Sequence, residues 1–398
     1  MIYCSRSLTV FHTHSVSAMF KRRLFTPGPT PVPDAVMMRM AEPIIHHRSP
    51  EFGEIFARVN QNLKYIFQTS RPVLTLTCSG TGGMEATFVS LFSPGDTIIS
   101  VNGGKFGERW VEMPRAYGLK VVELKLEWGE APSADQILNL LKSHPGAKAV
   151  YLTHSETSTG SATDVQALAG IIRRSSSAFV CVDGITAIGA HEFRFDEWGI
   201  DVCVTGSQKG LMIPPGLAFV ALSERAAAAA QVSATPKFYF DLGKALRSYE
   251  SDDTPWTPAA SLIIGLDVAL QMVRIEGIEH GWKRRERMAL AVRAGRTALG
   301  LKLFSAHPSF AVTAAWVPEG IEWKSLNKTL KTHYGITVAG GQDRYSGRIF
   351  RVSHLGYYDE LDIVAVLAAF ERALGDCGWN SEPGCAVQAV QRSFRSQG

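Results

Sequence analysis

The sequence lacks any apolar run of about 18 residues, so no membrane-crossing helix is expected. It also lacks a CxxC pair and any Cys/His cluster at zinc spacing. The six cysteines, Cys4, Cys78, Cys181, Cys203, Cys377 and Cys385, therefore point to neither a disulfide framework nor a structural metal. Cys181 and Cys203 fall inside apolar runs, where a free thiol behaves as a small hydrophobe. A dominant charge is missing too. The formal net charge of +4 on 398 residues is too slight and too dispersed to suggest a nucleic-acid partner. Residues 1–33 hold no acidic side chain, and Lys21, Arg22 and Arg23 cluster near their end. That composition suits an organellar presequence, or a start codon placed too early with Met19 the true first residue. The second account is preferred because the segment has no amphipathic arginine face, and a cytoplasmic location is expected.

What is present is ordinary globular composition, 45% hydrophobic and 20% charged, long enough for two or three domains. Across residues 73–221 short β-branched runs alternate with helix-length segments. VLTLTCS, TIISVN, KVVELKL, AVYLTH, FVCVD, DVCVTG and LAFVAL read as strands. GGMEATFVSLF, GERWVEMPRAYG, SADQILNLLKSH and DVQALAGIIRRSS read as the helices between them. This order predicts an α/β fold, a mostly parallel sheet sandwiched by helices, with ligands outside the carboxyl ends of the strands. After residue 275 the texture shifts to a basic helix, two strands and two further helices, which predicts a smaller α+β domain. The expected division is an N-terminal extension and arm over 1–34, a large domain over 35–275, a small domain over 276–378, and a frayed polar tail over 379–398.

Two charged residues of opposite sign end two of these strands. FVCV delivers Asp183, and the next strand, DVCVTG, runs through Ser207 and Gln208 into Lys209. A solvated loop lysine and a rim salt bridge are the plain account. The chemical account is pyridoxal phosphate, whose aldehyde needs a lysine amine and whose ring nitrogen needs an acid partner. Its phosphate needs backbone amides, and the turn CSGTGGMEA opens a helix after a strand, without the GK[ST] ending of a Walker loop and without a GxGxxG fingerprint. NGGKFGERW offers the flat face of Phe106, and THSETSTG offers Thr157.

With these motifs on the page, the chain resembles the class V, fold-type I aminotransferases, in the alanine–glyoxylate and serine–glyoxylate branch. The resemblance runs from FTPGPTPVP to the last expected helix and is carried by HRSPEF, SGTGGMEA, NGGKFGERW, LTHSETSTG, VDGITAIGA, TGSQKG and FRVSHLG. It implies that Lys209 is the Schiff-base lysine and Asp183 the partner of the ring nitrogen. Ser79, Gly80, Thr81 and Gln208 would lie about the cofactor and its phosphate, Phe106 would stack on the ring, and Thr157 would approach the ring oxygen. Thr257 would reach the phosphate of the other subunit in a homodimer. The neighbouring family tyrosine is replaced here by Thr254, which leaves that second cross-subunit contact open. Arg351 would grip the substrate carboxylate. The implied reaction is ping-pong transfer of an amino group from alanine or serine to glyoxylate or a similar 2-oxo acid. A 2-aminoethylphosphonate or ureidoglycine transaminase, and a cofactor-bearing subunit of a larger complex of the kind labelled soluble hydrogenase, remain alternatives. Cysteine desulfuration is disfavoured, because only Cys377 and Cys385 follow Lys209.

Overall fold

The computed structural model describes residues 21–397. The question of a presequence or a start at Met19 falls on residues outside that range.

A seven-stranded sheet forms the centre. Its order in space is Val73–Leu76, Ala218–Leu222, Val202–Gly206, Phe179–Asp183, Ala149–Thr153, Thr97–Asn102 and Lys120–Lys125. Only Ala218–Leu222 runs antiparallel to its neighbours. The sequence explains which strands are central. Ala149–Thr153, Val202–Gly206 and Ala218–Leu222 are buried at every position, as a strand covered by helices on both faces must be. Lys120–Lys125 has an exposed lysine at each end and no fully buried residue, and it sits at one edge, where its lysines discourage further pairing. Capped helices link the strands: Ser133 and Gln136 form a capping box on Ala134–Ser143, and the Asp164 side chain accepts Ala167 N–H at the start of Val165–Ser175. The order of the sheet reverses between Thr97–Asn102 and Ala149–Thr153, so their following loops open a crevice at the carboxyl rim.

The remaining chain builds on a three-stranded antiparallel sheet, Val312–Trp316, Ile349–Ser353 and Ala339–Gly340, backed by the helices Ile278–Ala298, Trp323–His333 and Glu360–Asp376. The start of the described chain belongs here. Arg23–Leu24 pairs in parallel with Ile336–Thr337, and the Phe25 ring stacks on Tyr358 with centroids 5.1 Å apart. A seam of buried neutral imidazoles joins this part to the main sheet. The Phe310 N–H donates to His191 Nε2 at 3.0 Å, and His354 bridges Thr313 Oγ1 and the Phe310 carbonyl, each at 2.9 Å. Burial lowers both histidines, which keeps them uncharged at neutral pH.

One expectation is corrected. Residues 379–397 are not a frayed tail: Cys385–Ser396 is a helix that buries Ala386, Val390 and Phe394. These three recur every fourth position, one stripe of a helix, but glutamines and arginines between them and the glycines before them mask the pattern. The stripe packs on Ile278–Ala298, where a Cβ added to Gly295 would lie 2.9 Å from Val390. Glu371 of the preceding helix accepts the N–H groups of Gly384 and Ala386 and caps it. Truncation after residue 379 is therefore expected to cost at least about 3 kcal/mol, the lower end for deleting one buried phenylalanine. Denaturant unfolding of the truncated chain measures this, and an unchanged midpoint would restore the frayed-tail picture.

Candidate active site

At the carboxyl rim the structure gathers Lys209, Asp183, Arg351, Thr157 and Phe106. Lys209 follows the strand Val202–Gly206 and is buried, with its Nζ donating to the Pro27 carbonyl. Thr30 laces the N-terminal segment onto the same turn: its N–H donates to the Gln208 carbonyl at 3.2 Å and its hydroxyl to the Lys209 carbonyl at 3.1 Å. Gly28, at φ +140°, allows this crossing, because a Cβ there would lie 2.3 Å from Lys209 Nζ.

Asp183 ends the neighbouring strand. Its Oδ2 accepts Trp110 Nε1–H and its Oδ1 accepts Ile185 N–H, both at 2.9 Å. Burial pushes its carboxyl up to about 6 and Glu156 adds to that, while the two donors and Lys209 hold it down. Burial pushes the Lys209 amine down to about 8, against the pull of Asp183, with Arg351 and Arg109 adding to the lowering. An amine so placed is a nucleophile and base near neutral pH, which an ordinary surface lysine is not.

Arg351 lies in the strand Ile349–Ser353. Nε and Nη2 donate to the Gly340 carbonyl at 3.0 and 2.7 Å, and Nη1 donates to the Thr157 carbonyl at 3.0 Å. Burial lowers it to about 10, opposed by Glu156. The Thr157 hydroxyl pairs with Thr186 Oγ1 at 2.6 Å. Lys209 Nζ stands 6.0 Å from the centre of the Phe106 ring.

The glycine-rich turn provides a second feature. Ser79 is exposed, Gly80 opens the helix Gly80–Leu91, and no side chain caps it. Gln208 Oε1 is buried without a hydrogen-bond partner. A Cβ added to Gly206 would lie 3.2 Å from that oxygen and 3.6 Å from Gly80 N, so the two polar groups converge beside a glycine. The Gln208 amide can present either of its ends there. An uncapped helix start beside an orphaned amide fits a bound phosphate, and Lys209 and Asp183 fit an aldehyde and a ring nitrogen. Thr257 is not part of this group: it is exposed on its own chain, beside Trp256. Thr254 turns inward and donates its hydroxyl to the Trp256 carbonyl at 2.7 Å. Cys377 and Cys385 pack against the C-terminal core rather than the site.

Four residues of the site escaped the sequence reading. Glu156 is buried within THSETSTG, and Thr186 follows Asp183. Trp110 lies one turn beyond Phe106 on the same helix. Arg109 donates to Thr81 Oγ1 at 3.0 Å and sits 5.0 Å over the Phe106 ring. The signal for Trp110 was its i, i+4 spacing from Phe106. For Glu156 it was a lone acid in a segment of hydroxyl residues.

Gly28→Ala is expected to cost roughly 1–3 kcal/mol for the forced backbone and to displace the Lys209 amine from the Pro27 carbonyl. Denaturant unfolding reads the first effect. The labelling rate of Lys209 by an amine-acylating reagent, followed by peptide mass, reads the second, and wild-type values for both would show that the close approach is incidental.

Comparison with known proteins agrees with this geometry. The family model for aminotransferase class-V matches residues 23–357. The chain is 41% identical over 377 residues to a protein called soluble hydrogenase, small subunit, of Synechococcus sp. (strain PCC 6716), covering 94% of this chain and 98% of the other. It is 35% identical over 381 residues to a serine–glyoxylate aminotransferase of Hyphomicrobium methylovorum, covering 93% and 94%. Among solved structures, ureidoglycine–glyoxylate aminotransferase from Bacillus subtilis superposes with a TM-score of 0.88 at 29% identity, covering 95% of this chain and 99% of that one. With a match across most of its length and a buried lysine and aspartate at adjacent strand ends, the chain belongs to the class V aminotransferases.

Proposed function

We propose that the protein is a pyridoxal-phosphate-dependent aminotransferase that moves the amino group of a small amino acid, alanine or serine, to glyoxylate or a similar 2-oxo acid. The observation that carries this reading is the buried Lys209 amine, lowered to about 8, beside the buried Asp183 carboxylate on the next strand. The bound cofactor would supply an aldehyde for the amine and a ring that accepts the electrons of the donor's Cα–H bond. Lys209 Nζ takes the proton from the donor's α-carbon and returns one to the acceptor's. Asp183, oriented by Trp110 and Ile185, holds a proton on the ring nitrogen. Phe106 presents a flat face to the ring, and Thr157 its hydroxyl. The helix start at Ser79, Gly80 and Thr81, with Gln208, binds the phosphate. Arg351, preset by the Gly340 and Thr157 carbonyls, binds the α-carboxylate.

Donor identity is the part on which relatives differ. The structural likeness to a ureidoglycine–glyoxylate aminotransferase supports ureidoglycine as a second reading. The 41% identity to a protein bearing a hydrogenase-subunit name supports a larger assembly as a further one. A homodimer with shared sites is proposed because Thr257 is exposed, and so are Met37, Met38, Ile44 and Phe238, large apolar side chains that a second copy would cover. A cytoplasmic location suits the free thiols of Cys78, Cys181, Cys203, Cys377 and Cys385.

The test is a donor–acceptor panel on the purified chain loaded with pyridoxal phosphate. Lys209→Ala is expected to abolish borohydride fixation of the cofactor and nearly all turnover. Arg351→Lys keeps the charge but loses the planar fork. A hydrogen bond to a charged group is worth roughly 1.5–3 kcal/mol, so efficiency with alanine or serine should fall roughly ten- to a hundredfold. Full activity of Lys209→Ala would refute the assignment, and an unaffected Arg351→Lys would remove the amino-acid reading. Sedimentation should give a dimer at assay concentration, and an active monomer would exclude shared sites.

A further inference from the structure

Glu156 is a buried acid to which the proposed reaction assigns no step. Its Oε2 accepts the N–H groups of Phe106 and Gly107 at 3.1 and 2.8 Å. Its Oε1 accepts the Ser158 N–H at 3.0 Å and the Ser158 hydroxyl at 2.6 Å. The same Ser158 Oγ accepts Lys105 N–H at 3.0 Å. Three successive N–H groups open the helix Lys105–Ala116, which has no side-chain cap of its own at Gly104. All three are satisfied from another strand end, two by the Glu156 carboxylate, an anion at the positive end of the helix, and the third by the Ser158 hydroxyl. Gly104 makes the approach possible: a Cβ there would lie 2.5 Å from Ser158 Oγ and 2.7 Å from Glu156 Cδ. The two segments leave adjacent parallel strands, Thr97–Asn102 and Ala149–Thr153, at the reversal of the sheet order.

The clasped helix carries two parts of the site. Its first turn presents Phe106, and its second presents Trp110, whose Nε1–H holds Asp183. The residue after Glu156 gives its carbonyl to Arg351.

We infer that Glu156, acting with Ser158, is a positioning residue: it clasps the first turn of Lys105–Ala116 and thereby fixes both the Phe106 face and the Trp110 hydrogen bond to Asp183. The inference rests on the pyridoxal-phosphate reading above. Glu156 also raises the Asp183 carboxyl and opposes the lowering of Lys209 and Arg351, so its charge is felt by all three groups.

Glu156→Gln tests this, because its amide NH2 must face donors on one side and break half of the clasp. In the cofactor-free protein, hydrogen exchange of a peptide spanning residues 103–110 should become faster at the Phe106 and Gly107 amides. After loading, the dissociation constant for pyridoxal phosphate should rise roughly ten- to a hundredfold, the worth of hydrogen bonds to a charged group. The visible circular dichroism per bound cofactor should weaken as the ring loses its fixed face. The kcat should fall while KM for the donor changes little, since Arg351 keeps both of its carbonyls. Unchanged exchange, or faster exchange with unchanged dichroism, affinity and kcat, overturns the positioning role. If Glu156→Gln does not fold, Ser158→Ala decides: it keeps the carboxylate and removes the link to Lys105, so the same changes should appear in smaller measure, and the absence of all of them overturns the proposal. If the wild-type protein takes up no pyridoxal phosphate, the functional reading falls and the positioning role with it. Wild-type uptake with an indifferent variant overturns the positioning role alone.

Discussion

Burying charge at the carboxyl ends of parallel strands is the constraint around which this site is built. Asp183, Glu156, Lys209 and Arg351 are 3%, 4%, 8% and 6% exposed. An uncompensated buried charge costs several kcal/mol, so each must be answered locally. The two signs are answered differently. Both carboxylates are met by N–H and O–H donors: Asp183 by Trp110 and Ile185, Glu156 by Phe106, Gly107 and Ser158. Among the described residues both cations donate their hydrogen bonds to neutral carbonyls, Lys209 to Pro27 and Arg351 to Gly340 and Thr157. Satisfied anions beside cations held by dipoles leave a pocket complementary to incoming negative charge. In the proposed function a phosphate and a carboxylate would bring that charge.

The wider fold serves this arrangement by bringing distant segments to one rim. The parallel strands supply Asp183, Thr157 and Lys209 at the same end because parallel order aligns their carboxyl termini. Arg351 comes from the smaller sheet, so its bond to the Thr157 carbonyl ties the two halves at the site itself. The chain start adds a second tie. Arg23–Leu24 pairs with the C-terminal part, and a few residues on, Pro27 and Thr30 lie against Lys209. The histidine seam is a third, and it works because burial keeps His191 and His354 neutral. Displacing one half against the other would disturb Lys209 and Arg351 together.

Much of this was legible in the sequence, and the reason is period. The runs TIISVN and FVCVD became strands with those limits, because buried parallel strands are short, continuous and β-branched. Lys209 and Asp183 stood out as opposite charges at the ends of two strands, and it was the resemblance, not their position alone, that set aside the plain account of a loop lysine and a rim salt bridge. Trp110 was not, since a tryptophan on an amphipathic helix reads as core until its indole N–H is seen to reach a carboxylate. Glu156 was hidden for a related reason: besides Ser158, its partners are backbone N–H groups of a segment some fifty residues earlier, and no local pattern encodes those. The helix Cys385–Ser396 was missed because its apolar stripe is only three residues long and Ile278–Ala298, the helix it packs on most, lies far away in sequence.

Arg351 illustrates how far an environment can specify a substrate group without touching it. A guanidinium has five N–H donors. Three of them are spent on carbonyls, two on Gly340 and one on Thr157. On this count one N–H is left on each terminal nitrogen, both in the guanidinium plane. That pair matches the two oxygens of a carboxylate, and the carbonyl bonds hold the plane in which they lie. The rotational freedom an arginine ordinarily gives up on binding is therefore already removed in the fold. A lysine ammonium has three donors around one atom, and it cannot keep both carbonyls while turning two donors to the same carboxylate. The choice of arginine at this strand position thus follows from the backbone that surrounds it, and the proposed substrate carboxylate is a group of matching shape.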